Sequence, residues 1–426
     1  MIDYIDLKYV PKKSDLVCIF KVKPAGVSLQ EAARAIAGES SIGTWTEIGT
    51  IKPSIVKRLK PSVFEMSKEI IKVAYPIALF EPGNMPGILS SVAGNIFGMS
   101  VIESLRIEDI SFPAEVLRHY KGPAFGIAGI RKLMKVPKRP LVGTIIKPKV
   151  GLDEQGHSKV AYNAWIGGCD FVKDDENLTS QNFNRFDKRV KETLRMRDKA
   201  EELTGERKMY FANVTAETKE MIRRARLVKG LGGEYIMVDV LTIGWSGLQT
   251  LVNEDLGLVI HGHRAGHAAI TRNKNHGISM LVIAKICRIL GIDQLHIGSI
   301  LGKMESGKRE VLEIEEEIEE PHIVKRIKDE VLSQDWPHIK PSLAVASGGL
   351  YPALLPRLID YFGNDVVIQA GGGIHGHPDG TVSGAKAMRQ AIDASIAKVP
   401  LKEYARSHKE LSRALERWPL GKKYAY

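Results

Sequence analysis

The fold class this sequence predicts is α/β: an eight-stranded parallel β/α barrel preceded by a smaller α+β N-terminal domain. Three observations predict it. After Pro123 the chain settles into short β-prone runs, each followed by a helix-like stretch of roughly ten to fifteen residues, the signature of parallel β/α units. Eight such runs can be counted, enough to close a barrel. The 426 residues leave room for that barrel, about 250 residues in most cases, plus a smaller partner.

From Met1 to about Gly122 the text is mixed, with turns rich in Pro and Gly. A strand is expected over Leu16–Val22, a helix over Leu29–Ala37, and another helix from Ser62 to Met66 and onward. The candidate barrel strands are Leu141–Ile146, Cys169–Val172, Met209–Asn213, Tyr235–Val240, Gly257–His263, Gln294–His296, Ser342–Ala346 and Val366–Ala370. Between the sixth and seventh, Arg309–Leu332 is dense in Glu and Lys, with Val311, Leu312, Ile314 and Ile318 at helical spacing. It is expected to be one solvated amphipathic helix. The expected division is therefore 1–122, 123–400 for the barrel, and a helical tail over 401–426.

Composition narrows the function classes. Apolar residues make up 44% and charged residues 26%, close to the soluble average. The net charge of +11 allows nucleic-acid binding, but the Lys and Arg residues are scattered, without a basic arm or an aromatic-interleaved patch. An anionic small substrate explains the excess equally well, and no nucleic-acid partner is expected. Cys18, Cys169 and Cys287 have neither disulfide-framework nor zinc spacing, which fits a reducing cytoplasm. With no secretory segment and no run of eighteen apolar residues, neither export nor a membrane is expected.

In a barrel of this kind the chemistry sits at the C-terminal ends of the strands. After the first come Lys147 and Lys149, which period-two geometry aims to one side as an anion pocket or leaves as solvated lysines. After the second comes Lys173-Asp174-Asp175-Glu176. Asp175 and Glu176 are hard oxygen donors of the kind Mg2+ prefers, although such a run is often only a surface turn. Were burial and the nearby lysines to depress its pKa, a neutral Lys173 could take up CO2 as a carbamate and supply a third anionic oxygen. The fifth strand ends in His261-Gly262-His263-Arg264, with His267 a turn further on; HxH suits a transition metal, a phosphate or a structural pair. The sixth ends at His296 and leads to Gly302-Lys303-Met304-Glu305, a loop suited to a moving lid. The seventh and eighth end in Ser347-Gly348-Gly349 and Gly371-Gly372-Gly373. Barrels frequently bind phosphate between those two loops.

These residues resemble the large subunit of ribulose bisphosphate carboxylase/oxygenase, most of all its archaeal (form III-like) members, over almost the whole chain. The matching text is GESSIGTWT, GNIFG, GTIIKPKVGL, GGCDFVKDDEN, HGHRAGHAAITR, HIGSILGKM, ASGG and QAGGGIHGHPDG, in order. The resemblance implies carboxylation of ribulose 1,5-bisphosphate by CO2 to two 3-phosphoglycerates through a Mg2+-stabilised enediolate, with O2 consumed in a side reaction. It implies that Lys173, carbamylated by an activating CO2, binds Mg2+ with Asp175 and Glu176. Lys147 would be the acid/base lysine near C2 with Lys149 in support, Lys303 would hold the incoming CO2, and His263 would match the family's catalytic histidine. Arg264, His296 and Ser347 would bind one phosphate; Gly349, Gly371 and Gly372 would bind the other. Glu39, Thr44, Trp45 and Asn95 would complete the site of a neighbouring subunit, so a homodimer or an assembly of dimers is implied, with no small subunit. Archaeal nucleotide (AMP) salvage or another sugar-phosphate route would supply the substrate.

Three positions depart from the pattern: Ile145 replaces a substrate-touching threonine of plant-type enzymes, Gly266 a methionine, and Tyr351 a histidine. They bear on kinetics and gas selectivity, and leave the metal, lysine and phosphate sets intact. The nearest alternative is a carboxylase-like enolase or isomerase of another phosphorylated sugar, but such relatives usually lose several carboxylation residues that remain here. Amidohydrolases also combine HxH with a carbamylated lysine, though their HxH belongs on the first strand.

Overall fold

The computed structural model describes residues 2–301, 307–326 and 330–419. In chain order its strands are β1 (Asp15–Pro24), β2 (Ser62–Ser67), β3 (Ile70–Pro76), β4 (Ile102–Ser111), β5 (Leu141–Ile145), β6 (Phe171–Lys173), β7 (Met209–Asn213), β8 (Tyr235–Asp239), β9 (Val259–His263), β10 (Gly277–Ile278), β11 (Gln294–Gly298), β12 (His322–Ile323), β13 (Gln334–Asp335), β14 (Leu343–Ser347) and β15 (Val366–Gln369). The chain divides into two compact units. One comprises Met1–Gly122, Gly266–Leu290 and Glu320–Ile339; the other comprises Pro123–Ala265, Gly291–Glu319 and Lys340–Tyr426.

The first unit is built on a five-stranded sheet in the order β10-β4-β1-β3-β2. Its helix Leu29–Glu39 starts at a capping box, the Ser28 hydroxyl accepting from the Glu31 amide while Glu31 reaches back to the Ser28 amide. Ala32, Ala33, Ile36 and Ala37 are its buried face. Inside this unit Lys285 Nζ lies 2.6 Å from Asp109 Oδ1, an ion pair with both side chains fully buried.

The segment expected to be a helix from Ser62 onward is instead β2, turning through Lys68 at φ 55° into β3. Val63 and Met66 stand three residues apart, which imitates a helical face over so short a run. The β-alternation is disguised by a register shift between Val63 and Glu65. The helix expected over Arg309–Leu332 spans only Lys308–Glu319. Val311, Ile314 and Ile318 bury its apolar stripe as expected, with Leu312 only half-buried, but Pro321 lacks the amide a continuing helix needs.

In the second unit, β5, β6, β7, β8, β9, β11, β14 and β15 pair in parallel, each with the next, and close into a barrel. All eight lie where the sequence places them, with every end within two residues of its expected position. The lower interior is apolar: Leu141, Phe171, Met209, Phe211, Tyr235, Val259, Leu343 and Val367 are buried together. Three aromatic rings fill its centre, with Phe171–Phe211 centroids at 4.7 Å and Phe211–Tyr235 at 4.8 Å. Ile130 and Met134 of the preceding helix, Gly126–Met134, belong to the same cluster.

Period two then converts this plug into a polar layer toward the C-terminal ends. Two residues beyond Phe171 stands Lys173, beyond Phe211 Asn213, beyond Val259 His261 and then His263, and beyond Val345 Ser347. Among the described residues no helix is long and apolar enough to cross a membrane. The tail contains the helices Leu401–Tyr404 and Lys409–Arg417, and residues 420–426 lie outside the described part.

Candidate active site

Lys173 closes β6 with its side chain fully buried. Its Nζ donates to the Asp174 carbonyl at 2.7 Å and lies 3.6 Å from Glu176 Oε2. Burial pulls this amine below the ordinary lysine value, although Glu176, Asp239, Asp175 and Asp174 all oppose the shift. Desolvation outweighs four acidic neighbours, so the neutral, nucleophilic form is favoured here more than in water.

The loop after β6 is braced from below by Asp174. Its carboxylate accepts from Tyr210 Oη at 2.6 Å, from the Asn213 amide at 2.9 Å and from Arg189 Nη2 at 3.1 Å, while His157 Nε2 lies 3.0 Å away. Burial alone would raise the Asp174 pKa; the Arg189 charge and these donors hold it well below the carboxylate range. Asn213 Nδ2 also reaches the Glu176 and Leu178 carbonyls at 3.2 Å. Neighbouring carboxylates thus do different work: Asp174 points into the frame, and Asp175 and Glu176 are left toward the strand ends.

Lys147 Nζ donates to Asp175 Oδ2 at 2.7 Å, and Asn177 Nδ2 to Asp175 Oδ1 at 3.0 Å. Lys149 Nζ is 3.8 Å from Glu176 Oε1. Burial raises the Glu176 pKa, but the charges of Lys173 and His263 prevail and hold it at about 2. His263 Nδ1 lies 2.6 Å from Asp239 Oδ1, which orients the ring and aims Nε2 toward Glu176, 3.8 Å from its Oε2. Burial lowers Arg264 to about 10, with Glu310 opposing. A guanidinium stays charged at neutral pH, so this one gains from any anion brought beside it.

Beneath them runs a chain of side chains: Gln294 Oε1 is 3.1 Å from His261 Nδ1, His261 Nε2 is 2.8 Å from His296 Nε2, and His296 Nδ1 is 2.7 Å from Ser347 Oγ. In the turn directly after Ser347, Gly348 (φ 117°) and Gly349 (φ 75°) occupy backbone conformations that favour glycine. A side chain at Gly373 would put its Cβ 2.1 Å from the Leu350 carbonyl oxygen, and one at Gly371 would lie 3.1 Å from Lys147 Cε. At Gly373 the backbone approach leaves no room for a side chain, whereas at Gly371 the Lys147 side chain would have to shift by a few tenths of an ångström.

Lys147, Lys149, Lys173, Asp175, Glu176, His263, Arg264, His296, Ser347, Gly349, Gly371 and Gly372 all stand at the C-terminal ends of barrel strands or in the loops after them. Lys303 lies outside the described residues. In the other unit Asn95 Nδ2 donates to Glu39 Oε1 at 3.3 Å, and Thr44 and Trp45 are exposed, Trp45 by 91%. Asp239, Asn213, Asp174 and Gln294 were not singled out from the sequence. Asp239 carried a usable signal, an acid closing a strand next to the HxH strand.

Among the described residues no group of three or more His, Cys, Asp or Glu is placed to hold a metal ion. Asp175 and Glu176 supply two hard donors, and a buried amine biased toward neutrality beside them can become a third by taking up CO2. The donor chemistry fits Mg2+ on that condition.

The buried histidines carry a pH signature. Burial lowers His261 and His296 well below the ordinary imidazole value and His375 to about 4. The unfolded chain protonates all three near pH 6.5 while the folded chain resists, so stability is full above about pH 6.5 and falls as pH drops toward 4. At about pH 5 these three rings add proton uptake on unfolding, opposed in part by Asp293, whose carboxyl burial raises to about 6, and the net should appear as a positive slope of unfolding free energy against pH.

The ribulose bisphosphate carboxylase large chain catalytic domain family matches residues 126–418, and the corresponding N-terminal domain family matches residues 3–116. A ribulose bisphosphate carboxylase of Methanosarcina barkeri is 54% identical over 98% of this chain and 99% of its own length. That of Methanocaldococcus jannaschii is 53% identical over 98% of this chain and all of its own. The structure of a dimeric archaeal Rubisco from Hyperthermus butylicus superimposes with a TM-score of 0.92 at 45% identity, covering 97% of this chain and 98% of that one. An octameric Rubisco from Pyrococcus horikoshii gives 0.91 at 47%, covering 99% and 97%. From its first strand to its last helix, this chain belongs to the ribulose bisphosphate carboxylase large-chain family.

Proposed function

We propose that this chain carboxylates ribulose 1,5-bisphosphate with CO2, giving two molecules of 3-phosphoglycerate. The observation that carries the reading is Lys173: a fully buried amine, shifted toward neutrality, 3.6 Å from Glu176 Oε2 and within the field of Asp175, whose carboxylate Lys147 holds. As an ammonium it would be costly there; as a carbamate it has a task. The Lys173 nitrogen adds to the carbon of an activating CO2 and loses a proton, leaving an anionic group beside the two carboxylates. Those three groups would hold Mg2+, which when bound polarises the substrate carbonyl and acidifies the C3 proton.

The rest falls to the chain's own residues. Arg264, His296 and Ser347 hold one phosphate; Gly349, Gly371 and Gly372 hold the other, pinning the ketose at both ends. Carrying CO2, Lys173 would supply the base for the C3 proton, and C2 then adds the substrate CO2, which Lys303 holds. Water adds at C3, the C2–C3 bond breaks, and Lys147 delivers the proton at C2 that completes the second product. Lys149 backs Lys147, and His263, with Nδ1 fixed by Asp239, offers Nε2 as a proton acceptor. An oxygenase side reaction with O2 at C2 belongs to the same chemistry. About four negative charges on the bisphosphate give the cationic rim its purpose.

Residues 1–122, the N-terminal part of the first unit, would lend Glu39, Thr44, Trp45 and Asn95 to a neighbour's site, with the barrel's strands drawn from 123–400 and 401–426 a tail. A homodimer or an assembly of dimers follows, without a small subunit; dimeric and octameric relatives support this. The enzyme works in the cytoplasm, drawing its substrate from nucleotide salvage or another sugar-phosphate route. Purified protein preincubated with bicarbonate and Mg2+ should incorporate labelled CO2 into acid-stable 3-phosphoglycerate when given ribulose bisphosphate. Enolisation or isomerisation of a phosphorylated sugar without incorporation would replace this reading.

A further inference from the structure

The chain from Gln294 through His261 and His296 to Ser347 carries a direction. Gln294 and His261 are fully buried and His296 is nearly so. The two imidazoles meet edge to face, ring planes at 86°, and burial keeps both neutral. A neutral imidazole donates through one nitrogen and accepts through the other, so each contact dictates the polarity of the next.

Two orders are available. If Gln294 turns its carbonyl to the ring, His261 donates through Nδ1 and accepts at Nε2 from His296. His296 Nδ1 must then accept the Ser347 hydroxyl proton, directing that proton into the barrel. If the amide is rotated by half a turn, Gln294 Nε2 donates to His261 Nδ1, His261 Nε2 donates to His296, and His296 Nδ1 donates to Ser347 Oγ. The Ser347 hydroxyl proton is then free to point outward.

With the carbonyl toward the ring, Gln294 Nε2 is buried with no hydrogen-bond partner. Half a turn gives that amide an acceptor and leaves an unpaired carbonyl oxygen, and a buried acceptor lacking a partner is better tolerated than a buried N–H. The orientation of a side-chain amide is fixed by such accounting.

We propose that Gln294 is a positioning residue: its amide nitrogen, bonded to His261 Nδ1, polarises the two-histidine relay so that Ser347 presents a hydroxyl donor to the substrate's phosphate. The phosphate role of Ser347 rests on the proposed function, with His296, both of its ring nitrogens engaged in the relay, acting on the phosphate through Ser347; the direction of the relay does not rest on it.

The direction is read with 15N-histidine-labelled full-length protein, assigning each ring by its loss in His261→Asn and His296→Asn. The proposal requires His261 as the Nε2–H tautomer and His296 as the Nδ1–H tautomer; the opposite pair overturns it. Because no substrate is needed, this reading stands even if ribulose bisphosphate turnover fails. The link to Ser347 is tested with Gln294→Met, whose thioether can only accept. It should raise KM for ribulose bisphosphate about tenfold with kcat within about twofold, and should add nothing in a Ser347→Ala background. An effect of equal size with and without the hydroxyl would show that Gln294 acts as packing and would overturn the proposal.

Discussion

Lys173→Ala is expected to abolish carboxylation, a loss of at least about a thousandfold, while leaving the far-ultraviolet circular dichroism spectrum unchanged. The reason lies in what the fold maintains at that position. A lysine buried without full compensation weakens a protein, since burial penalises its charged form. Here burial prevails over four acidic neighbours, so the fold is arranged for something other than a buried ion pair. Removing the amine relieves a strained charge and leaves Asp175 and Glu176 with Lys147 and Lys149 as partners, so folding should survive while the CO2-derived donor is lost. Retained turnover, measured with labelled CO2, would remove Lys173 from the site.

Asp174→Ala should have the largest effect on stability, about 3–5 kcal/mol, because it strands the fully buried Arg189 guanidinium without its counter-charge. Tyr210 and the Asn213 amide lose their acceptor at the same time. Urea unfolding measures this directly, and a cost below about 1 kcal/mol would show that the network is not under electrostatic tension. Turnover should also fall in the folded fraction, since the same network holds the backbone from Lys173 to Leu178.

The barrel was legible because parallel strands covered on both faces read as short apolar runs, and all eight stood out between helical stretches. Lys147, Lys173, Asp175, Glu176 and the two glycine turns were legible for a related reason: the rule that chemistry gathers at strand ends says where to look. What stayed hidden depended on long-range pairing. The β2 hairpin was disguised by its bulge, and the helix after Lys308 stopped at a proline within a charged run. Asp239, Asn213 and Gln294 matter through contacts with residues 24 to 39 positions away in sequence, which periodicity does not record. Asp174 and Asp175, adjacent in sequence, differ only in which side of the chain they face. That assigns one to the frame and the other to the rim.

The central claim, that Lys173 becomes a carbamate and joins Asp175 and Glu176 around Mg2+, is open to one direct measurement. The protein is incubated with 13C-bicarbonate and Mg2+, and the carbamate carbon is observed by NMR, then located by trapping and peptide mapping. One labelled carbamate per chain, on Lys173, stabilised by Mg2+ and absent from Lys173→Ala, is the result expected. Carboxylation proceeding with no label on Lys173, or with the label on another lysine, would contradict it.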